Sequence, residues 1–285
     1  MRLVHRFSIF TGGVLAAIVG VTTWQVPSIA AGALLHPSRR PVTAQPPSGC
    51  DDVTYEGNGV TLRGWRCRAQ IERRGFVIVL HGVADNRSGV AGVFERFTRR
   101  GFDVIAYDSR AHGESGGEIC TYGYHEKGDL RRVIETLPPG PIVLIGSSLG
   151  AAVALQAAAE EPRVGAVVAA EVFSDLNAIA RERAPSFLPD WIIRKALRVA
   201  EVRGRFEMDR VSPAEAARMI TAPVLLIHGA LDTDTPPDHS RRVHAGLRGP
   251  KRLKIVDGAA HNQSLSSRAI WRDIAQWLDT SLAPH

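Results

Sequence analysis

Residues 141–160 read PIVLIGSSLGAAVALQAAAE. An apolar run of strand character ends in Gly146-Ser147-Ser148-Leu149-Gly150, and an alanine-rich helical stretch starts at once. Gly-x-Ser-x-Gly between a strand and a helix is a sharp turn that lifts the central side chain to an exposed apex. Small residues at its ends let neighbouring backbone pass close by. Ser148 is therefore the candidate nucleophile. The helix beginning at Leu149 turns free N–H groups and the positive end of its dipole toward the same point, so the Leu149 N–H is a candidate oxyanion donor. Ser147 lacks glycine two residues to either side and is expected to pack beneath the turn.

Outward from this turn, strand-length apolar runs alternate with helical patterns. The runs are FVIVLHG (76–82), DVIAYD (103–108), VGAVVAA (164–170), PVLLIHG (223–229) and RLKIVDG (252–258), and DDVTYEGNGVTLRGWRC (51–67) reads as a two-strand element. Amphipathic stretches at 90–100, 126–137, 149–160, 238–247 and 267–282 lie between or after them. The alternation predicts an α/β fold, a mostly parallel twisted sheet of about eight strands flanked by helices. From 173 to 219 no strand candidate occurs. A small helical cap insertion, about 174–219, is expected over the carboxyl edge of the sheet, where ligands of open α/β sheets bind; an ordinary longer crossover is the alternative.

A serine hydroxyl needs a base, and the base needs an acid to orient it. His261 follows the last strand in Gly258-Ala259-Ala260-His261, and Asp232 lies three residues after Gly229 in HGALDTDTP. The order Ser, Asp, His is the one this turn architecture demands. Asp234 is a rival acid in the same loop. A second oxyanion donor is expected from the Val83 N–H, in the loop His81-Gly82-Val83-Ala84 after the first parallel strand. Structural roles are expected for His81, His112 and Asp108, the last tying down the turn at 109–117 and pairing with Arg110. His125 and Glu126 are candidates for lining the cleft, and Arg181, Glu182 and Arg183 for a solvated helix face.

The N-terminal region differs from the rest. Residues 7–35 carry no charge and are long enough, as a helix, to span a bilayer. Residues 1–35 are expected to be an uncleaved transmembrane anchor, with a signal peptide cleaved at Ala31-Gly32-Ala33 as the rival. Residues 36–49, with four prolines, read as an extended linker, and 50–285 as the folded domain. The net charge of +6 is concentrated at the front: positions 1–40 hold four Arg and no acid, leaving 31 basic against 29 acidic residues beyond. That near-neutral balance removes the electrostatic case for a nucleic-acid surface. Cys50, Cys67 and Cys120 show no metal-ligand spacing; two of them could be bridged in an exported domain, with buried free thiols as the alternative.

LHGVADNR, YDSRAHGESGG, GSSLG, HGALDTDTP and GAAH, spread over about residues 50–282, together resemble the α/β-hydrolase superfamily, and within it membrane-anchored, single-domain serine hydrolases. The resemblance implies a triad of Ser148, Asp232 and His261, an oxyanion hole of Val83 and Leu149, and no cofactor or metal. It implies hydrolysis of an ester, thioester or amide, with a small acyl ester or lipid-derived substrate favoured by the apolar cap. The domain is then expected on the extracytoplasmic side of a membrane, or secreted after cleavage. An acyltransferase or peptidase would use the same residues, and a catalytically silent tethered scaffold is the reading from another class.

Overall fold

The computed structural model describes residues 20 and 25–282. Among them eight strands form one sheet: β1 (Cys50–Glu56), β2 (Thr61–Cys67), β3 (Gly75–Leu80), β4 (Phe102–Tyr107), β5 (Ile142–Ser147), β6 (Val164–Ala170), β7 (Val224–Gly229) and β8 (Lys251–Val256). Their order is β1-β2-β4-β3-β5-β6-β7-β8. The β1–β2 hairpin is antiparallel and joins β4 antiparallel; every later pairing is parallel. The expected α/β architecture is what the chain adopts.

The strand pattern explains the two-sided core. Successive side chains leave opposite faces of a strand, so Phe76, Ile78 and Leu80 of β3 enter one apolar cluster while Val77 and Val79 enter the other. The first cluster is covered by α3 (Glu126–Glu135) and α4 (Leu149–Ala158), the second by α2 (Phe94–Thr98) and α9 (Arg268–Ser281). Nearly every residue of α4 is buried, and its alanines let it lie tight between the sheet and its helical neighbours. The helix expected at 90–100 is instead a 3-10 segment, Arg87–Val93, leading into the short α2. Gly89 and Gly92 fall in that segment, and glycine disfavours a regular α-helix.

The interval between β6 and β7 divides in two. Helices α5 (Leu176–Glu182) and α6 (Asp190–Gly204) form the cap proper. Helix α7 (Pro213–Ala217), capped by the Ser212 hydroxyl, packs on α4 and on α8 (Asp238–Gly246) as a crossover helix does.

Packing begins well before Cys50. The described part of a first helix, α1 (residues 25–35), buries Ala31 and Leu35 in the core. Beyond it the proline-rich stretch is a strap rather than a free linker. Arg39 donates to the carbonyl oxygens of Ser115 and Gly117, each at 2.6 Å, and the Asn86 amide donates to those of Arg40 and Pro41 at 3.1 and 3.2 Å. An extended strap held by side chains has no apolar periodicity, which is why its sequence resembles a linker. Most of the expected anchor, residues 1–19 and 21–24, lies outside the described residues. Among the described residues no helix is long and apolar enough to cross a membrane.

Cys50 and Cys67 are paired across the β1–β2 hairpin and joined by a disulfide, and Cys120 is a buried free thiol whose pKa burial pushes up. The bridge closes a loop of sequence separation 17. Replacing both cysteines by alanine is expected to lower the unfolding free energy by about 3 kcal/mol, measured by urea denaturation. An unchanged midpoint would show that the bridge contributes nothing to global stability.

Candidate active site

Ser148 sits where β5 turns into α4, with φ +51° and ψ −110°. A side chain rarely adopts this region, and holding it there costs on the order of 1–3 kcal/mol. The surroundings enforce it. A Cβ at Gly146 would run into the backbone of Gly150, and one at Gly150 into the carbonyl of Leu80. The Ser148 N–H donates to Ala170 O at 2.8 Å, tying the turn to the end of β6. Ser147 is turned the other way, its hydroxyl donating to Glu171 Oε2 at 3.3 Å.

The loop after β3 comes alongside. A Cβ placed on Gly82 would lie 3.8 Å from the Cβ of Ser148, so backbone there passes close to the candidate nucleophile. His81 fixes the loop's shape. Its Nδ1 donates to Gly82 O at 2.7 Å, and its Nε2 accepts from the Ser109 N–H at 2.9 Å. Full burial lowers the pKa of His81, which keeps the ring neutral and able to do both. Val83 and Ser148 line the same cavities, and Leu149 is the first residue of α4.

His261 and Asp232 meet from the loops after β8 and β7. The His261 Nδ1 donates to Asp232 Oδ2 at 2.7 Å. The other carboxylate oxygen accepts from the N–H groups of Asp234 and Thr235, at 3.0 and 2.8 Å. Asp232 is thus the loop's buried acid, while Asp234 supplies a backbone donor and lines the groove. His228 supports the acid from below: its Nε2 lies 3.2 Å from Asp232 Oδ2 and donates to Thr235 O at 2.7 Å, while its Nδ1 accepts from the Ser240 hydroxyl. With Nδ1 donating to a carboxylate, His261 keeps Nε2 as its acceptor. His261 and Ser148 line one open groove, although among the described residues no hydrogen bond joins the two side chains. Contacts between a nucleophile and its base are often long before substrate binds and tighten with it.

Glu171, directly after β6, escaped the sequence reading. It is buried, with φ +55°, and its carboxylate accepts from the N–H groups of Asn262, Gln263 and Ser264 at 2.7, 3.1 and 2.9 Å. These are the three residues after His261, so Glu171 holds the histidine loop in place. Of seven non-glycine residues with positive φ among the described residues, four (Ala84, Ser148, Glu171 and Asn262) surround this site. Such strain persists only where surrounding structure over-determines it.

Other polar candidates find different employment. Asp108 does tie down the turn after β4, accepting from the Glu114 N–H at 2.8 Å, but its cationic partner is Arg87; Arg110 pairs with Asp129 at 2.6 Å instead. His112 is buried beside His81, and loss of water pushes its pKa down to about 4. His125 donates to Gly204 O at 3.1 Å and Glu126 accepts from the N–H groups of Thr121 and Gly123, so neither lines the cleft. Glu182 and Arg183 are more than a solvated face. Arg183 donates to Asp234 O and to the Thr235 hydroxyl at 2.9 and 2.7 Å, pinning the cap to the acid loop, and both side chains line the groove beside His261.

Two cavities therefore open from Ser148. One is the polar groove of His261, Asp234, Glu182 and Arg183. The other, about 360 Å³, runs beneath the cap, and its lining among the described residues is apolar apart from Ser148, Tyr122 and Arg183.

Glu171→Ala removes three charge-assisted hydrogen bonds from one loop. Each such bond contributes about 1.5–3 kcal/mol, so the amides of 262–264 are expected to exchange at least 10-fold faster while those of β5 keep their protection. Unchanged exchange at 262–264 would show that the loop is held by something else.

Comparison with known proteins agrees with this fold. The pattern of the alpha/beta hydrolase fold matches residues 75–208, and that of TAP-like proteins matches 201–285. The uncharacterized protein YqkD of Bacillus subtilis is 33% identical over 211 residues, covering 70% of this chain and 69% of its own. The uncharacterized protein Rv2307c of Mycobacterium tuberculosis is 30% identical over 239 residues, covering 80% and 79%. Among solved structures, the Pyrococcus furiosus esterase Pf2001 superposes with a TM-score of 0.70 at 24% identity, over 87% of this chain and 100% of that one, a likeness of fold. With eight strands in this order, a strained serine turn after β5 and relatives matched over most of their length, the chain belongs to the α/β-hydrolase fold family.

Proposed function

We propose that the protein is a serine hydrolase that cleaves carboxylic esters with an apolar acyl group. Ser148 is the nucleophile, His261 the general base and Asp232 the residue that fixes the imidazole. The observation that carries this reading is the 2.7 Å hydrogen bond from His261 Nδ1 to a buried Asp232, on a ring sharing a groove with the strained Ser148.

The chemistry follows from that arrangement. Ser148 Oγ adds to the ester carbonyl carbon while its proton passes to His261 Nε2. Negative charge develops on the carbonyl oxygen, and the N–H groups of Val83 and Leu149 receive it; one donor of this kind is worth roughly 10²–10³ in turnover. Collapse of the tetrahedral species breaks the ester C–O bond, and the leaving alkoxide takes the proton from His261. Water, deprotonated by the same nitrogen, then attacks the acyl-enzyme, and Ser148 regains its proton as the acid departs. The apolar cavity suits the acyl chain and the polar groove the alcohol, since the two differ in lining as the two halves of such an ester do.

The same reading places the domain at a membrane, on the extracytoplasmic side. The Cys50–Cys67 disulfide favours an oxidising compartment. Retention of the N-terminal segment is favoured over release at the Ala31-Gly32-Ala33 site, because cleavage there would take Ala31 out of the core.

Ser148→Ala is expected to cost three or more orders of magnitude in turnover, and Asp232→Asn about 10⁴-fold, with folding preserved. A fluorophosphonate probe is expected to label the wild-type chain and not Ser148→Ala. Equal labelling of both, or none of the wild type, would contradict the assignment.

A further inference from the structure

We propose that helix α1 is the acyl-chain gauge of this enzyme, with Ala30 and Ala31 setting how long a linear acyl group the apolar cavity accepts. The proposal rests on the ester-hydrolase reading above and adds the residues that decide its substrate range.

The cavity begins at Val83, Ser148 and Leu149 and has α1 as one of its walls, through Ala30, Ala31, Ala33 and Leu34. Side chains of α5 and α6, Ile179 and Ile192 among them, contribute another. An acyl chain attached at Ser148 would run between these walls. Its boundary on the α1 side is therefore made of residues that precede every strand of the sheet.

This wall is fixed in place. Ala31 and Leu35 are buried four residues apart, as one face of a helix requires. The Cys120 N–H donates to Leu35 O at 2.8 Å, and Arg203 of α6 donates to Ser28 O at 2.9 Å, so α1 is tied both to the core and to the cap. The Tyr122 hydroxyl donates to Leu34 O at 3.1 Å while the same residue lines the cavity. Tyr122 holds φ +56°, a conformation that a side chain rarely adopts and that surrounding contacts must impose. With alanine at 30, 31 and 33 this fixed wall is set well back, and any enlargement of those alanines narrows the cavity.

The test is a series of p-nitrophenyl esters of graded chain length, with the full chain in detergent. For wild type, kcat/KM should rise about four-fold per methylene, the value of burying one CH2, until the chain meets α1, and then level or fall. Ala30→Leu and Ala31→Leu should each move that break to shorter chains by about three carbons, the size of the added group. Leucine is a strong helix former, so α1 itself is not weakened. Ala31 is buried, so half-buried Ala30, whose enlargement disturbs the core less, is the deciding position. Wild-type hydrolysis with the same break point in a folded Ala30→Leu variant would overturn the gauge and leave the hydrolase standing. No hydrolysis of any ester and no phosphonate labelling by wild type would remove both.

Discussion

The close approach of α4 to the ends of β3 and β5 is the constraint on which the rest of this molecule depends. Gly146 and Gly150 leave no room for a Cβ between turn and helix, and with that room gone the chain has one way through, with Ser148 at positive φ. The same crowded region brings the Gly82 backbone beside Ser148. A backbone this crowded is stable because the sheet on both sides is fully buried; β3, β4 and β7 expose nothing. The strain is local, and the burial that offsets it is spread over the whole domain.

Around that point the structure builds outward in layers of support. Asp232 aligns His261, His228 and two backbone amides hold Asp232, and Glu171 holds the loop that carries His261. Arg183 joins the cap to the loop that carries Asp232. The apolar cavity beside Ser148 is lined in part by α1, a segment that precedes every strand of the sheet.

Much of this was legible because it is written locally. A strand run, a Gly-x-Ser-x-Gly turn and an alanine-rich helix are consecutive, and the loops bearing Asp232 and His261 each follow a recognisable strand. What stayed hidden is what long-range contact decides. Glu171 is one acid after an all-apolar strand, and nothing in VGAVVAAE says that its partners are the amides of residues 91 to 93 positions away. Arg87 rather than Arg110 neutralises Asp108 because tertiary packing, not sequence proximity, brings it there. The packing of residues 25–35 stayed hidden for a physical reason as well: a helix that buries one apolar face and an apolar leader share composition, and the buried positions show only against their partners.

The central claim is that Ser148, His261 and the amides of Val83 and Leu149 converge on one reacting carbonyl. A crystal structure of the adduct with an alkyl phosphonate tests it most directly. The account predicts phosphorus bonded to Ser148 Oγ, the phosphonyl oxygen about 2.7–3.1 Å from both amide nitrogens, His261 Nε2 on the alkoxy side and the alkyl chain against α1. Phosphorus on another residue, or a phosphonyl oxygen turned to solvent with the imidazole out of reach, would contradict it.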